Sequence, residues 1–183
     1  MDFTKKYTSK RGDLVIGRVL GRQGDYYQVD IGDRFIALLQ YYDFEGASKR
    51  NRPHLDTGSL LYARVKKSSK HMNPVLSCSS HANKKTWSSG EAEFMEIRSG
   101  YLQECSIGLV QFLLGEEGQA LLQRIGKKHK FSATIGHNGR LWIDSGSPRN
   151  TILIVNTLLA FEASTAEQRE ALVQRVSQEL RRN

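Results

Sequence analysis

At 183 residues, with 39% apolar and 25% charged side chains, the chain has room for one large or two small globular domains and lacks the composition of a disordered or fibrous protein. No run of about 18 apolar residues occurs, so no membrane-spanning helix is expected, and the opening Met-Asp-Phe-Thr-Lys-Lys has no apolar core of the secretory-signal kind. The net charge of +8 lies wholly in residues 1–85, with 16 basic and 8 acidic side chains, whereas residues 86–183 hold 11 of each; this asymmetry suits a basic patch for a polyanion, a solvated basic face or a partner-protein surface.

The first half reads as short strands. Leu14–Leu20 is apolar and β-branched. Gly24-Asp25 marks a turn, Tyr26–Ile31 alternates with Tyr27, Val29 and Ile31 on one face, Gly32-Asp33 turns again, and Phe35–Leu39 follows. After a polar loop through Gly46 to Pro53 come Leu60–Val65 and Val75–Ser79. Five short strands with Gly/Asp turns predict an all-β barrel of the OB type over residues 1–80. The polar, Gly/Ser-containing stretch 81–93 predicts the domain boundary.

In residues 81–183 the period changes. Tyr101–Ile107 reads as a strand; Gly108–Leu114 and Gln119–Ile125 read as helices joined by Gly115-Glu-Glu-Gly118. Phe131–Ile143 reads as a hairpin, with Asn138-Gly139 as a two-residue type I′ loop pairing His137 with Arg140. Ser147-Pro148 signals an N-cap with proline at N1. The apolar helix Ile152–Phe161 is expected to be buried. A last helix opens with the capping box Thr165-Ala-Glu-Gln168. The order strand–helix–helix–strand–strand–helix predicts an α+β domain of the KH type.

Gly136-His-Asn-Gly139 has the paired glycines of a phosphate cradle, but phosphate loops open helices and no helical segment follows Gly139. The reading here is a structural turn, with Gly136, Asn138 and Gly139 shaping it and Trp142 mostly buried behind it. In Gly115-Glu-Glu-Gly118, the spacing of a KH clamp carries two carboxylates where phosphate would sit; a helix C-cap followed by an acidic first turn explains it better.

Three segments carry a family resemblance. Gly12–Gly17 with Tyr27–Gly32, the string Phe44-Glu-Gly-Ala-Ser-Lys-Arg-Asn-Arg-Pro53, and Gly136–Trp142 together resemble the RNA-binding cap subunits of the eukaryotic RNA exosome, of the ribosomal RNA-processing protein 40 type (exosome component 3). The likeness spans about residues 7–175. It implies a ribosomal-S1-type OB barrel followed by a KH domain without a working clamp. It also implies no catalysis, binding to single-stranded RNA, and assembly with RNase PH-like ring subunits and the other cap subunits. The expected locations are nucleus, nucleolus and cytoplasm. Members of that family usually carry a small β domain before the barrel, and this sequence begins almost at the barrel.

Candidate RNA contacts follow from charge and aromaticity. Lys49, Arg50 and Arg52 form one basic cluster, and Lys66, Lys67 and Lys70 a second one, expected at the turn between the last two strands. Tyr26, Tyr41 and Tyr42 are candidates for base stacking, Tyr26 foremost. The Phe44–Pro53 string is alternatively a surface for docking on the ring. No cofactor is expected. Cys78-Ser-Ser-His81 is only half a zinc site, and Cys105 has no nearby partner, so no metal is expected. Two cysteines make no disulfide framework and suit a reducing compartment. Asp30 and Asp33 read as turn caps, with a Mg²⁺ nuclease as the enzyme alternative. The binding alternative is a stand-alone OB/KH regulator of RNA.

Overall fold

The computed structural model describes residues 7–48, 50–80, 85, 92–127, 130–162 and 164. These divide into two compact units. One runs to Arg98 and includes Gly136–Asn138; the other comprises Ser99–Ile135 and the residues from Gly139 onward.

In the first unit, β1 (Leu14–Gln23), β2 (Tyr26–Asp30), β3 (Ala37–Phe44), β4 (Leu60–Ser69) and β5 (Met72–Cys78) are ordered β1-β2-β3-β5-β4, and a further β1–β4 pairing closes the barrel. All neighbours are antiparallel except β3 and β5. This is the OB arrangement that the strand count predicts. The period-2 alternation drives it. Tyr27, Leu39, Leu76 and Val65 are successive cross-strand partners, and all are buried. They form one inward layer of a core that also holds Val15, Val29, Ala63 and Phe94.

The first unit runs past the expected boundary at residue 80. Phe94 is fully buried in the barrel core against Tyr62, and a two-residue strand, β6 (Glu96–Ile97), pairs with Leu60 and Leu61. β5 pairs with β4 no earlier than Arg64, and β6 occupies part of the edge left open. Burial of one such phenylalanine contributes about 1.5–3 kcal/mol.

The second unit is β7 (Tyr101–Glu104), α1 (Ile107–Leu114), α2 (Glu116–Gly126), β8 (Ser132–Gly136), β9 (Arg140–Asp144) and α3 (Pro148–Glu162), with sheet order β7-β9-β8. This is the βααββα order of a KH domain. Its core joins Leu109, Leu113, Leu121 and Ile125 of α1 and α2 to Leu141 and Ile143 of β9 and to Ile154 and Leu158 of α3. Ser106 caps α1, its side chain accepting from the Leu109 N–H. Helix α3 starts at Pro148, as the Ser-Pro signal predicts, but it is not buried all round: Ile152 is half exposed. The expected capping box at 165–168 lies outside the described residues.

Candidate nucleic-acid interface

The two basic clusters are at opposite ends of the barrel. Strand β3 leads into the 45–59 loop, which holds Arg50 and Arg52, and the parallel strand β5 starts from the β4–β5 turn, which holds Lys70. The loop is therefore at the end where β3 and β5 finish, and the turn is where they start. Lys66 and Lys67 are on β4 itself rather than on the turn. Lys49 lies outside the described residues.

At the loop end, side chains of the barrel hold the basic segment in place. The Tyr27 hydroxyl donates to the Pro53 carbonyl and accepts from the Leu55 N–H, at 3.1 and 3.2 Å. The Arg22 guanidinium donates to the Leu55 carbonyl at 3.0 Å and stands 2.7 Å from His54 Nε2. Arg22 also lies over the ring of Tyr27, and Arg52 over that of Tyr41, 4.8 Å from its centroid. These are cation–π contacts. Tyr41 is not a free stacking platform: it is buried, its centroid 4.5 Å from that of Tyr27. Tyr42 is half-buried, its hydroxyl accepting from the Gln40 amide. Tyr26 stands exposed on β2 opposite Gln40.

At the turn end, Lys67 and Lys70 are exposed. The segment before β1 runs alongside them, because the Gly12 N–H donates to the Val65 carbonyl and Val65 N–H to that of Asp13; this adds exposed Lys10 and Arg11. Lys66 differs, since its ammonium is 3.1 Å from the Asp43 carboxylate. Sequence reasoning passed over Arg22, Lys10 and Arg11. Strand alternation marks Arg22 as a rim residue once Tyr27 is known to face inward, but nothing local places 10–11 beside β4.

Asp30 caps its turn, Oδ1 accepting from the Gly32 N–H at 2.9 Å, whereas Asp33 Oδ2 accepts from the distant Ser9 N–H at 2.9 Å and so ties the segment before β1 to the barrel. Among the described residues no group of three His, Cys, Asp or Glu side chains is placed to hold a metal ion. Cys78 is buried, and burial with the nearby Asp43 charge pushes its thiol well above the ordinary range, so it is a poor thiolate ligand. His81 lies outside the described residues.

The GHNG segment has a different geometry from the expected type I′ loop. Asn138 has a negative φ, and Gly139 alone of His137–Gly139 is left-handed, at φ 76°. The loop between β8 and β9 is these three residues, which fits a type I turn closed by a glycine bulge. Gly139 is packed as well as twisted: a Cβ there would meet the Cys105 carbonyl oxygen at 2.8 Å. Within the barrel unit, the buried Asn138 amide acts as a surrogate strand. Its Oδ1 accepts from Ile16 N–H at 3.2 Å, and its Nδ2 donates to the carbonyls of Ile16 and Ile31 at 2.8 and 2.9 Å. The β1–β2 ladder begins only at Arg18, opposite Asp30, so β1 lacks a strand neighbour on that edge at Ile16. His137 extends the pairing, its N–H donating to the Leu14 carbonyl at 2.8 Å and its ring Nδ1 accepting from Leu14 N–H at 3.1 Å. Trp142, expected mostly buried, is half-buried; its Nε1 donates to the Ser99 carbonyl.

Gly115-Glu-Glu-Gly118 is not a loop. Gly115 alone separates α1 from α2, its N–H donating to the carbonyls of Gln111 and Phe112. Glu116 and Glu117 form the exposed first turn of α2, where the helix dipole favours negative charge. At Gly118 an added Cβ would lie 2.2 Å from the Phe112 carbonyl oxygen and 2.4 Å from Leu113 Cα. That glycine is present because the helices touch backbone to backbone.

An OB barrel with cations at both ends, followed by a KH-order domain whose clamp position is acidic, defines an S1–KH protein. The S1 domain of exosome complex component RRP40 matches residues 7–90, and a KH domain matches 100–149. Exosome complex component RRP40 of Drosophila melanogaster is 35% identical over 163 residues, covering 89% of this chain and 67% of that protein. A Dictyostelium discoideum protein named as an exosome complex component of the rrp40 type is 41% identical over 155 residues, 84% of this chain and 62% of that one. A crystal structure assigned as an exosome complex RNA-binding protein shares the fold, with a TM-score of 0.74 over 97% of this chain and 98% of its own at 20% identity. The chain belongs to the RRP40 family of exosome components. It spans about three fifths of the length of the first curated relatives it matches.

Proposed function

We propose that the chain acts as a non-catalytic, RNA-binding cap subunit of the RNA exosome, assembling with RNase PH-like ring subunits and other cap subunits and guiding single-stranded RNA toward associated nucleases. The observation that carries the reading is the barrel. In a family of exosome components, this chain carries its whole excess of positive charge in residues 1–85, which include the S1-type barrel, with exposed cations at both barrel ends. The α1–α2 elbow, where a KH clamp would hold phosphate, presents Glu116 and Glu117 instead, which supports binding through the barrel. Residence in nucleus, nucleolus and cytoplasm belongs to the same proposal.

The test has two arms. Tagged full-length chain purified from its own cells is expected to bring down RNase PH-like subunits in stoichiometric amount; recovery without them favours a stand-alone OB/KH regulator. Purified protein is expected to bind single-stranded RNA with log affinity falling by about 0.7 per phosphate neutralised for each decade of salt, and to leave the RNA intact in Mg²⁺. EDTA-sensitive cleavage that disappears on changing Asp30 and Asp33 to asparagine would establish the nuclease alternative.

A further inference from the structure

Asn138-Gly139 is the sole Asn-Gly pair in the sequence. The pair is chemically labile. Glycine leaves its peptide nitrogen unshielded and the chain flexible, so in an unconstrained chain that nitrogen readily reaches the asparagine side-chain carbon. The fold nevertheless requires both residues. Position 138 needs an amide, because one side chain must accept from the Ile16 N–H and donate to the Ile16 and Ile31 carbonyls. Position 139 needs glycine, because φ is 76° and an added Cβ would meet the Cys105 carbonyl oxygen at 2.8 Å. The same contacts immobilise the groups that would react. Both polar atoms of the Asn138 amide are engaged, and the residue is buried, so the nitrogen that would leave is held by two carbonyls and shielded from water. Gly139 is anchored in turn, its carbonyl accepting from the Cys105 N–H at 2.8 Å.

We propose that Asn138 is a deamidation site gated by the fold: inert while its amide is paired with Ile16 and Ile31, and reactive once that pairing opens. In the opened chain the Gly139 nitrogen bonds to Asn138 Cγ as the Cγ–Nδ2 bond breaks, and ammonia leaves with the proton lost from the Gly139 nitrogen. Water then opens the cyclic imide. Cleavage at Cγ leaves aspartate, and cleavage at the main-chain carbonyl carbon leaves isoaspartate. Either product lacks the donor that the two carbonyls require. Aspartate keeps an acceptor for the Ile16 N–H but turns its second oxygen toward the Ile16 and Ile31 carbonyls, where acceptor meets acceptor. Isoaspartate also lengthens the main chain by a methylene, so the turn that presents this side chain to β1 no longer closes in the same register. A barrel that opens for long enough is thereby marked with a negative charge and hindered from reclosing. The inference is independent of what the barrel binds.

Full-length protein incubated at mildly alkaline pH, with and without urea above its unfolding transition, tests the gate. Tryptic peptide 131–140 is followed by mass spectrometry, with its aspartate and isoaspartate forms separated by chromatography. The unfolded chain is expected to accumulate both acidic forms. The folded chain should do so at least about a thousandfold more slowly, as the low end of folding equilibrium constants implies for a buried contact. His137→Ala removes the ring that accepts from the Leu14 N–H. A little below the melting temperature, where opening is frequent enough to follow, it should speed the folded-state reaction about two- to tenfold, the size of one hydrogen bond's net contribution. The unfolded rate should change little. After removal of urea, unmodified chains should regain the native melt and modified chains should not. Equal rates in folded and unfolded protein, or a folded-state rate unmoved by His137→Ala, overturn the gate. Modified chains that regain the wild-type melt overturn the block to reclosing. Should neither form refold, Asn138→Asp expressed directly supplies the aspartate product: a lowered melt supports the proposal, and one equal to wild type overturns it.

Discussion

Gly115-Glu-Glu-Gly118 and Gly136-His-Asn-Gly139 share one glycine spacing, and either resembles a phosphate-binding loop on paper. The first is an elbow in which Gly118 lets two helices touch at backbone distance while the glutamates occupy the first turn of α2. The second is a turn that offers the barrel an asparagine amide in place of a missing strand. The Gly115 N–H is taken by α1 carbonyls and the His137 N–H by the Leu14 carbonyl, so neither of these groups is open to an anion. A glycine pair thus reports only that backbone comes close to something. What it comes close to is decided by the residues between the glycines, here carboxylates in one case and an amide in the other.

The sharpest way to break the comparison is at Asn138. Asn138→Asp keeps the shape and replaces a donor by an acceptor facing the Ile16 and Ile31 carbonyls. A buried, uncompensated charge of this kind costs about 3–5 kcal/mol. Because the folded state disfavours the ionised form, its pKa is raised above the unfolded value of about 3.9. The deficit is then complete above the folded pKa and shrinks as pH falls toward the unfolded one. Urea melts of wild type and variant at several pH values check both size and slope; a variant as stable as wild type at pH 7 would mean that the amide is not needed by the barrel.

The matching change in the elbow is Gly118→Val. Its Cβ has no room beside Phe112 and Leu113 backbone, which cannot swing aside as a side chain would. Overpacking of this sort is expected to cost about 3 kcal/mol. Equilibrium unfolding followed by far-ultraviolet circular dichroism measures it, and a neutral outcome would show that α1 and α2 can part without penalty.

Much of this was legible in the sequence, for physical reasons that differ by element. Alternation at Tyr27, Val29 and Ile31 exposes the barrel because a strand with one buried face must repeat every second residue. The acidic turn of α2 is legible because Glu116 and Glu117 complement a helix N-terminus, although the helix begins three residues earlier than its apolar stripe suggests. The Asn138 pairing with Ile16 is not legible, since a separation of 122 residues leaves no local trace. Phe94 was hidden by the polar stretch before it, and β6 by its length of two residues. The opposite placement of the basic clusters needs strand direction as well as strand position: β3 and β5 run parallel, a fact that no single segment encodes.

A smaller effect is expected at Gly139. Gly139→Ala forces an L-residue to φ 76° and brings its Cβ against the Cys105 carbonyl. The conformational part alone is about 1–2 kcal/mol. Gly139→D-Ala, introduced by semisynthesis, accepts the positive φ and carries its methyl on the other Cα bond, not at the position that meets Cys105. It is expected to melt nearer wild type than the L-Ala variant, and equal losses for the two isomers would mean that the turn tolerates no side chain of either hand.

The smallest effect is expected where the resemblance to an RNA clamp is greatest. Glu116 and Glu117 are exposed on the first turn of α2, and changing both to lysine reverses two charges without touching either glycine. Stability should fall modestly, by about 0.3–1 kcal/mol for each unfavourable interaction with the helix dipole. RNA affinity should rise only as far as a general gain of positive charge allows, because Gly115 is a one-residue hinge with its N–H already bonded, and no loop exists to wrap a phosphate. The distinction can be read from salt dependence. Nonspecific attraction fades as screening lengths shrink toward about 8 Å at physiological ionic strength. A clamp created by the new lysines would raise the salt slope by about 0.7 per phosphate engaged and would still leave a gain in affinity at physiological salt. Such a persistent gain would mean that the elbow is a competent clamp silenced only by its carboxylates, and a large loss would mean that the carboxylates themselves contact RNA. Either result would end the view that the elbow serves packing alone.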